Sequence, residues 1–248
     1  MPIRRLALLT GLALLPAWAA AQGLTVSAAA SLTEAFKEIG ARFDATRGGS
    51  TRFNFAASGV LIAQIAQGAP VDVFVSADQE TVDRGVKGKL LDPATRRDFA
   101  SNSLVLIAPT DSTAPLTGLS DLTGPGVRRI AVGKLASVPV GRYTRQALEA
   151  AGLWARVEPR IVYADSVRQA LDYVARGEAE AGFVYRTDAL LAKDKVRIVA
   201  TVEGHAPVGY PAAVVQDSRQ PAAARAFVDY LLGAEAQAIL ARHGFGKP

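Results

Sequence analysis

From residue 24 onward the chain alternates two kinds of segment. Short runs rich in β-branched and aromatic residues are followed by turns of small residues and then by amphipathic stretches, as in "LTVSAAASLTEAFKEIGARF", residues 24–43. A hydrophobic period that changes from two to 3.6 within a few residues marks a strand followed by a helix. Recurrence of strand, turn and helix requires neighbouring strands to run parallel with helices packed on the sheet faces, so the fold class is α/β. The pattern predicts strands over 24–28, 52–55, 71–75, 103–108, 129–132, 160–163, 181–185, 197–200 and 212–215. Helices are predicted to start near Leu32, Gly59, Asp78, Arg142, Ser166 and Ala222, and "GAEAQAILARHG" forms the last turns.

Two segments break the alternation. "TDSTAPLTGLSDLTGPG" (110–126) and "VEGHAPVGYP" (202–211) read as surface passages rich in turn-forming residues. The strand "SLVLIAP" before the first and "PAAVV" after the second make a pair of crossings between two lobes. This division gives residues 22–101 and 216–248 to one lobe and 102–215 to the other. Ahead of them, Arg4 and Arg5 precede an apolar run from Leu6 to Leu15, a proline, and small residues ending at Ala21. That is the layout of a cleavable export signal over 1–21, with cleavage expected after Ala21 and the periplasm as destination. The apolar run is shorter than the roughly 20 residues a membrane-spanning helix needs.

The chain of 248 residues contains no cysteine, which excludes disulfides, thiolate metal sites and a lipid-modified cysteine. Lys and Arg number 28 against 23 Asp and Glu; without Arg4 and Arg5 the balance is 26 to 23, or +3. So small and dispersed an excess does not fit a nucleic-acid surface.

In open parallel sheets, ligands sit beyond the carboxyl ends of the strands, where helix N-termini point at the crevice. Five strand exits therefore hold the candidate ligand-binding residues: Ser31 in "AAASL", Ser58 in "FAASG", Val140 in "VPVGRY", Val167 in "ADSVRQ" and Tyr185 in "FVYRTD". Two serines, a tyrosine and amides at helix starts are all uncharged donors, and several helix N-termini facing one cleft suit an anion. Local roles compete with this one. Ser31 with Glu34 and Ser76 with Gln79 each fit a capping box, Asp165 fits an N-cap, and Tyr185 could equally cover the core. Arg142 and Arg168, in first helical turns, are expected to face solvent, with Arg142 the one arginine that could reach the cleft. A hydroxyl can both accept from its own helix and donate to an anion, so capping does not exclude binding.

No nucleophile elbow, zinc-protease helix, P-loop or dinucleotide fingerprint occurs, and His205 and His243 stand in unrelated contexts. A binding protein rather than an enzyme is the reading. Its rivals are the same architecture for sulfate, phosphate or another solute, a secreted serine hydrolase using Ser31 or Ser58, and a regulator's effector domain.

The stretches "TVSAAASLTEAF", "FAASGVLIAQI", "GAPVDVFVSADQ", "ATRRDFASNSLVLIAP", "VPVGRYTRQAL" and "GFVYRTDA" come in an order and spacing that resemble the periplasmic molybdate-binding proteins of ABC transporters, over residues 24–246. The resemblance implies a two-lobed periplasmic binding protein fold of type II with two chain crossings, closing on one tetrahedral oxyanion, molybdate or tungstate. It implies hydroxyls and amides from Ser31 and Ser58, amides from Val140 and Val167 and the Tyr185 hydroxyl as the ligand set, with no direct protein ligand to the metal and no further cofactor. It also implies an inner-membrane permease as partner and a monomeric state. The chain departs from the family at Val140, where alanine is frequent, at Lys134 and Leu135, where an acidic residue and proline are frequent, and at Gly59, where a hydroxyl residue is common. The last is expected to cost only a peripheral contact.

Overall fold

The computed structural model describes residues 23–47 and 49–248. The export signal expected over residues 1–21 lies outside the described residues. No helix among the described residues is long and apolar enough to cross a membrane.

Two five-stranded sheets organise the chain. The first contains β1 (Leu24–Ala29), β2 (Thr51–Ala56), β3 (Val73–Val75), β4 (Arg97–Asn102) and β10 (Val208–Val214), in the order β2-β1-β3-β10-β4. The second contains β5 (Leu104–Pro109), β6 (Ile130–Gly133), β7 (Ile161–Ala164), β8 (Ala181–Tyr185) and β9 (Val196–Thr201), in the order β7-β6-β8-β5-β9. The chain passes between sheets after Asn102 and again between Thr201 and Val208. Each passage delivers a strand that runs against its neighbours: β5 is antiparallel to β8 and β9, and β10 is antiparallel to β3 and β4. The sheets are therefore mixed, with parallel β2-β1-β3 and β7-β6-β8 blocks.

The second passage corrects a boundary. The sequence pattern places the return crossing after residue 215, but β10, Val208–Val214, pairs with β3 and β4 in the first sheet. "VGYPAAV" contains a glycine and a proline, which read locally as turn signals, yet a bulge between Tyr210 and Pro211 absorbs the proline within the ladder. β4 carries no strand signal in its sequence, because "RDFASN" is largely polar. Its register with β10, a long-range pairing, decides it.

Helices α1 (Thr33–Arg47), α2 (Ser58–Ala66), α3 (Gln79–Lys87), α8 (Pro221–Leu231) and α9 (Ala234–Arg242) belong to the first lobe. In the second lobe lie α4 (Pro139–Ala150), α5 (Trp154–Val157), α6 (Val167–Ala175) and α7 (Arg186–Leu191). Their apolar faces have helical spacing: Ala35, Phe36, Ile39 and Phe43 of α1 are buried while Lys37 is exposed. Phe36 sits among Phe53, Phe99 and Phe227, with ring centroids 6.0, 5.8 and 6.1 Å away. This aromatic cluster joins the N-terminal and C-terminal parts of the first lobe, and β5, flanked by strands on both sides, is correspondingly a continuous apolar run.

Candidate functional site

The carboxyl ends of both parallel blocks face the space between the lobes. β1 runs into a 3-10 turn, Ala30–Leu32, that carries Ser31, and β2 runs through Ala57 into α2, whose first residue is Ser58. From the second lobe, β6 leads through a loop to α4 with Val140 as its second residue, β7 leads to α6 with Val167 as its first, and β8 ends on Tyr185. All five predicted residues line one pocket, together with Ala29, Ala30, Ala56, Ala57, Ala77, Val138 and Pro139. Among the described residues, no charged side chain lines it. The cavity is small, about 10 Å³, room for one water-sized group with the lobes in this position. A wider crevice of about 680 Å³, lined by Thr25, Arg52 and Asp72 among others, opens at the starting ends of the strands and shares none of the five residues above.

The donors are arranged by their neighbours. Ser58 is completely buried and its Oγ accepts from the amide of Ala77 at 3.1 Å, which leaves its own proton for the pocket. The amides of Ser58, Val140 and Val167 occupy first-turn positions that have no intrahelical acceptor. The Tyr185 hydroxyl reaches across to the carbonyl of Ala77 at 3.4 Å, and Tyr143 OH approaches the same carbonyl at 3.4 Å. Burial holds the Tyr185 phenol well above its ordinary range, so it stays a neutral donor.

Ser31 does not form the predicted capping box. Its Oγ lies 3.0 Å from Tyr210 OH, α1 starts at Thr33, and the Thr33 hydroxyl donates to Ala30 O at 2.7 Å. Glu34 is instead engaged by Arg168, at 2.6 Å. At α3 the cap is Asp78, which accepts from Thr81 N at 3.3 Å; Ser76 supports it from 2.9 Å. At α6 the cap is Ser166, accepting from Gln169 N at 3.2 Å, while Asp165 pairs with Lys134. At α3 a carboxylate two residues past the expected cap takes the role, at α6 a serine one residue past it does, and at Ser31 the expected partner Glu34 is drawn off by Arg168 of the second lobe.

The two arginines expected in solvent tie the lobes together. Arg142 of α4 holds Asp78 through Nη2 and through Nε at 3.1 Å, with Asp78 and Arg142 side chains only 5% and 13% exposed. It also donates to Thr81 Oγ1 at 2.9 Å and to Leu135 O at 3.2 Å. Arg168 of α6 bonds Glu34, donates to Ser31 O at 3.3 Å, and lies with Nε 2.8 Å from Asp188 Oδ1, a contact of ion-pair distance without hydrogen-bond alignment. Asp188 is completely buried, and burial pushes its carboxyl up to about 6 against the opposing pull of Arg168. Neither arginine lines the pocket, and Arg168 borders it through its bond to Ser31 O.

Gly59 has a larger role than a peripheral one. Its amide donates to Ser137 O at 2.9 Å, from the first lobe to the second, and a Cβ there would lie 2.7 Å from the Ser137 backbone. The lobes approach this closely because residue 59 has no side chain. Residues that the sequence reading missed are Tyr210 and Asn102, whose amide donates to Tyr210 OH at 3.2 Å. A fully buried tyrosine inside a segment that reads as a surface passage gave no local signal. The histidines stay apart from the pocket: His205 contacts backbone carbonyls of Val202 and Ala206, and His243 faces Glu38 at 3.3 Å.

Two α/β lobes joined by two chain passages, with helix N-termini and uncharged donors converging between them, define a solute-binding protein of the type II class. Residues 24–246 match the family of bacterial extracellular solute-binding proteins. The chain is 41% identical over 230 residues to the molybdate-binding protein ModA of Escherichia coli (strain K12), covering 90% of this chain and 88% of that protein. It is 38% identical over 230 residues to the ModA protein of Mycobacterium tuberculosis (strain ATCC 25618 / H37Rv), covering 92% and 86%. Among solved structures, the periplasmic molybdate-binding protein of Azotobacter vinelandii superposes with a TM-score of 0.79 at 27% identity, covering 91% of this chain and 99% of that one. The chain belongs to the bacterial extracellular solute-binding proteins and, within them, to the ModA molybdate-binding family.

Proposed function

We propose that this chain captures one molybdate or tungstate dianion between its lobes and delivers it, chemically unchanged, to the inner-membrane permease of an ABC transporter, working as a monomer in the periplasm. The observation that carries the reading is the pocket shared by Ser31, Ser58, Val140, Val167 and Tyr185, whose polar contributions are neutral donors from both lobes. A dianion taken from water needs its lost hydrogen bonds replaced, and several oriented donors replace them without a salt bridge. The first lobe would supply the hydroxyls and amides of Ser31 and Ser58, and the second the amides of Val140 and Val167 and the Tyr185 hydroxyl.

Because the ligand bonds to both lobes at once, it favours the closed arrangement, which is the state a membrane partner can distinguish. The Arg142–Asp78 and Arg168–Glu34 pairs and the Gly59–Ser137 bond form only when the lobes meet, so they add to closure without touching the anion. Donors fixed on helix ends define a size: a smaller sulfate leaves some unpaired, and unmade bonds to buried donors penalise it. Molybdate and tungstate, of the same charge and nearly equal size, are not separated by such a site.

Isothermal titration calorimetry of the purified chain with molybdate, tungstate, sulfate and phosphate tests the proposal. One-to-one binding of the first two, at least tenfold tighter than the others, is expected; tighter binding of sulfate or phosphate would reassign the ligand.

A further inference from the structure

We propose that Asn102 and Tyr210 fix the direction of the Ser31 hydroxyl, turning it into an obligate donor, and so carry part of the selection against protonated oxyanions. This rests on the molybdate reading above and deepens it. Asn102 Oδ1 accepts from Ser103 N at 2.9 Å. That bond sets the amide's orientation and leaves Nδ2 to donate to Thr187 Oγ1 at 2.9 Å and to Tyr210 OH at 3.2 Å. Both amide protons are then used, one on each lobe.

Tyr210 is fully buried, and burial keeps its phenol protonated. Its hydroxyl has two partners, Asn102 Nδ2 and Ser31 Oγ. An amide nitrogen cannot accept, so the phenolic proton has Ser31 Oγ as its acceptor at 3.0 Å. The opposite arrangement, with Ser31 donating to Tyr210, would strand a buried phenolic proton. Ser31 therefore receives a hydrogen bond from behind and presents its own proton to the pocket that it lines.

Ser58 is set in the same sense by a different device, the amide of Ala77 donating to its Oγ. Both serine hydroxyls thus spend accepting capacity on the protein. A fully deprotonated tetrahedral dianion needs only donors. Hydrogen phosphate brings an O–H that needs an acceptor, and this hydroxyl pair has been turned the other way.

The test uses the full chain with Tyr210→Phe, which keeps the ring among Phe99, Tyr185 and Phe245, and with Asn102→Ala, which keeps the phenol but frees its lone pair. Calorimetry with molybdate and with phosphate, near neutral pH where phosphate is partly protonated, gives an affinity ratio for each protein; where phosphate is too weak to titrate, its competition against bound molybdate gives the same ratio. Tyr210→Phe should bind molybdate about tenfold more weakly while phosphate loses little or gains, and Asn102→Ala should shift the ratio the same way by a smaller factor. A purely structural role would weaken both anions equally. An unchanged ratio in both variants overturns the proposal, and if only Asn102→Ala folds, its ratio decides alone. Failure of the unmodified chain to bind molybdate would overturn the ligand assignment instead.

Discussion

Replacing Ser58 by alanine removes one atom that serves two masters. Its Oγ accepts from Ala77 N at 3.1 Å and leaves one proton facing the pocket, in a residue with no exposed surface. For binding, the loss is a hydrogen bond to a charged acceptor, about 1.5–3 kcal/mol, or roughly 10–150-fold in affinity. For folding, the loss is an acceptor for a buried amide, about 1–2 kcal/mol of a total near 5–15. A chain of this size would then melt roughly 2–8 °C lower. The variant should stay folded at room temperature, so the two effects separate cleanly. Calorimetry gives the first, with circular dichroism at the titration temperature showing the protein intact, and a thermal scan without ligand gives the second. Molybdate binding at the affinity of the unmodified chain, in a folded Ser58→Ala variant, would remove Ser58 from the ligand set and with it the argument that a serine filled from behind must donate forward.

Gly59→Ala puts a Cβ 2.7 Å from the Ser137 backbone, so the lobes cannot meet as they do here; at least an order of magnitude in affinity should be lost, with X-ray scattering showing no compaction on adding molybdate. Arg142→Met cuts the tie to Asp78, which both partners can replace with water when the lobes part; molybdate affinity should fall by about 1–2 kcal/mol, roughly 5–30-fold, while the melting point of the ligand-free protein changes little. Asp188 gives a pH signature. Its folded value, raised by burial to about 6 from 3.8, means that its contribution to stability is full below the unfolded value and is lost as pH rises through the folded one. The stability of the unmodified chain relative to Asp188→Asn should therefore decline between about pH 4 and 6, by about 2–3 kcal/mol at most, measured by urea denaturation across that range; a flat difference would show that Arg168 holds Asp188 charged throughout.

The α/β alternation, most strand positions and the residues at strand exits are legible in the amino-acid pattern. These are local properties: a period of two or 3.6, a turn of small residues, a serine or tyrosine at the end of an apolar run. Because parallel strands put all their carboxyl ends on one side, residues at strand exits share that side, and Ser31, Ser58, Val140, Val167 and Tyr185 line one pocket. What each polar group bonds to follows from contacts between distant parts of the fold. Ser31 and Tyr210 are 179 residues apart, Arg168 and Glu34 134, and Arg142 and Asp78 64. A hydroxyl or guanidinium has several possible partners within its own turn, and local pattern offers the capping box or the solvent. Which partner prevails depends on what distant parts of the chain, in either lobe, bring within hydrogen-bond reach, and on burial that makes an unpaired donor costly. The same reason explains β10, where glycine and proline signalled a turn and the ladder on both sides imposed a strand.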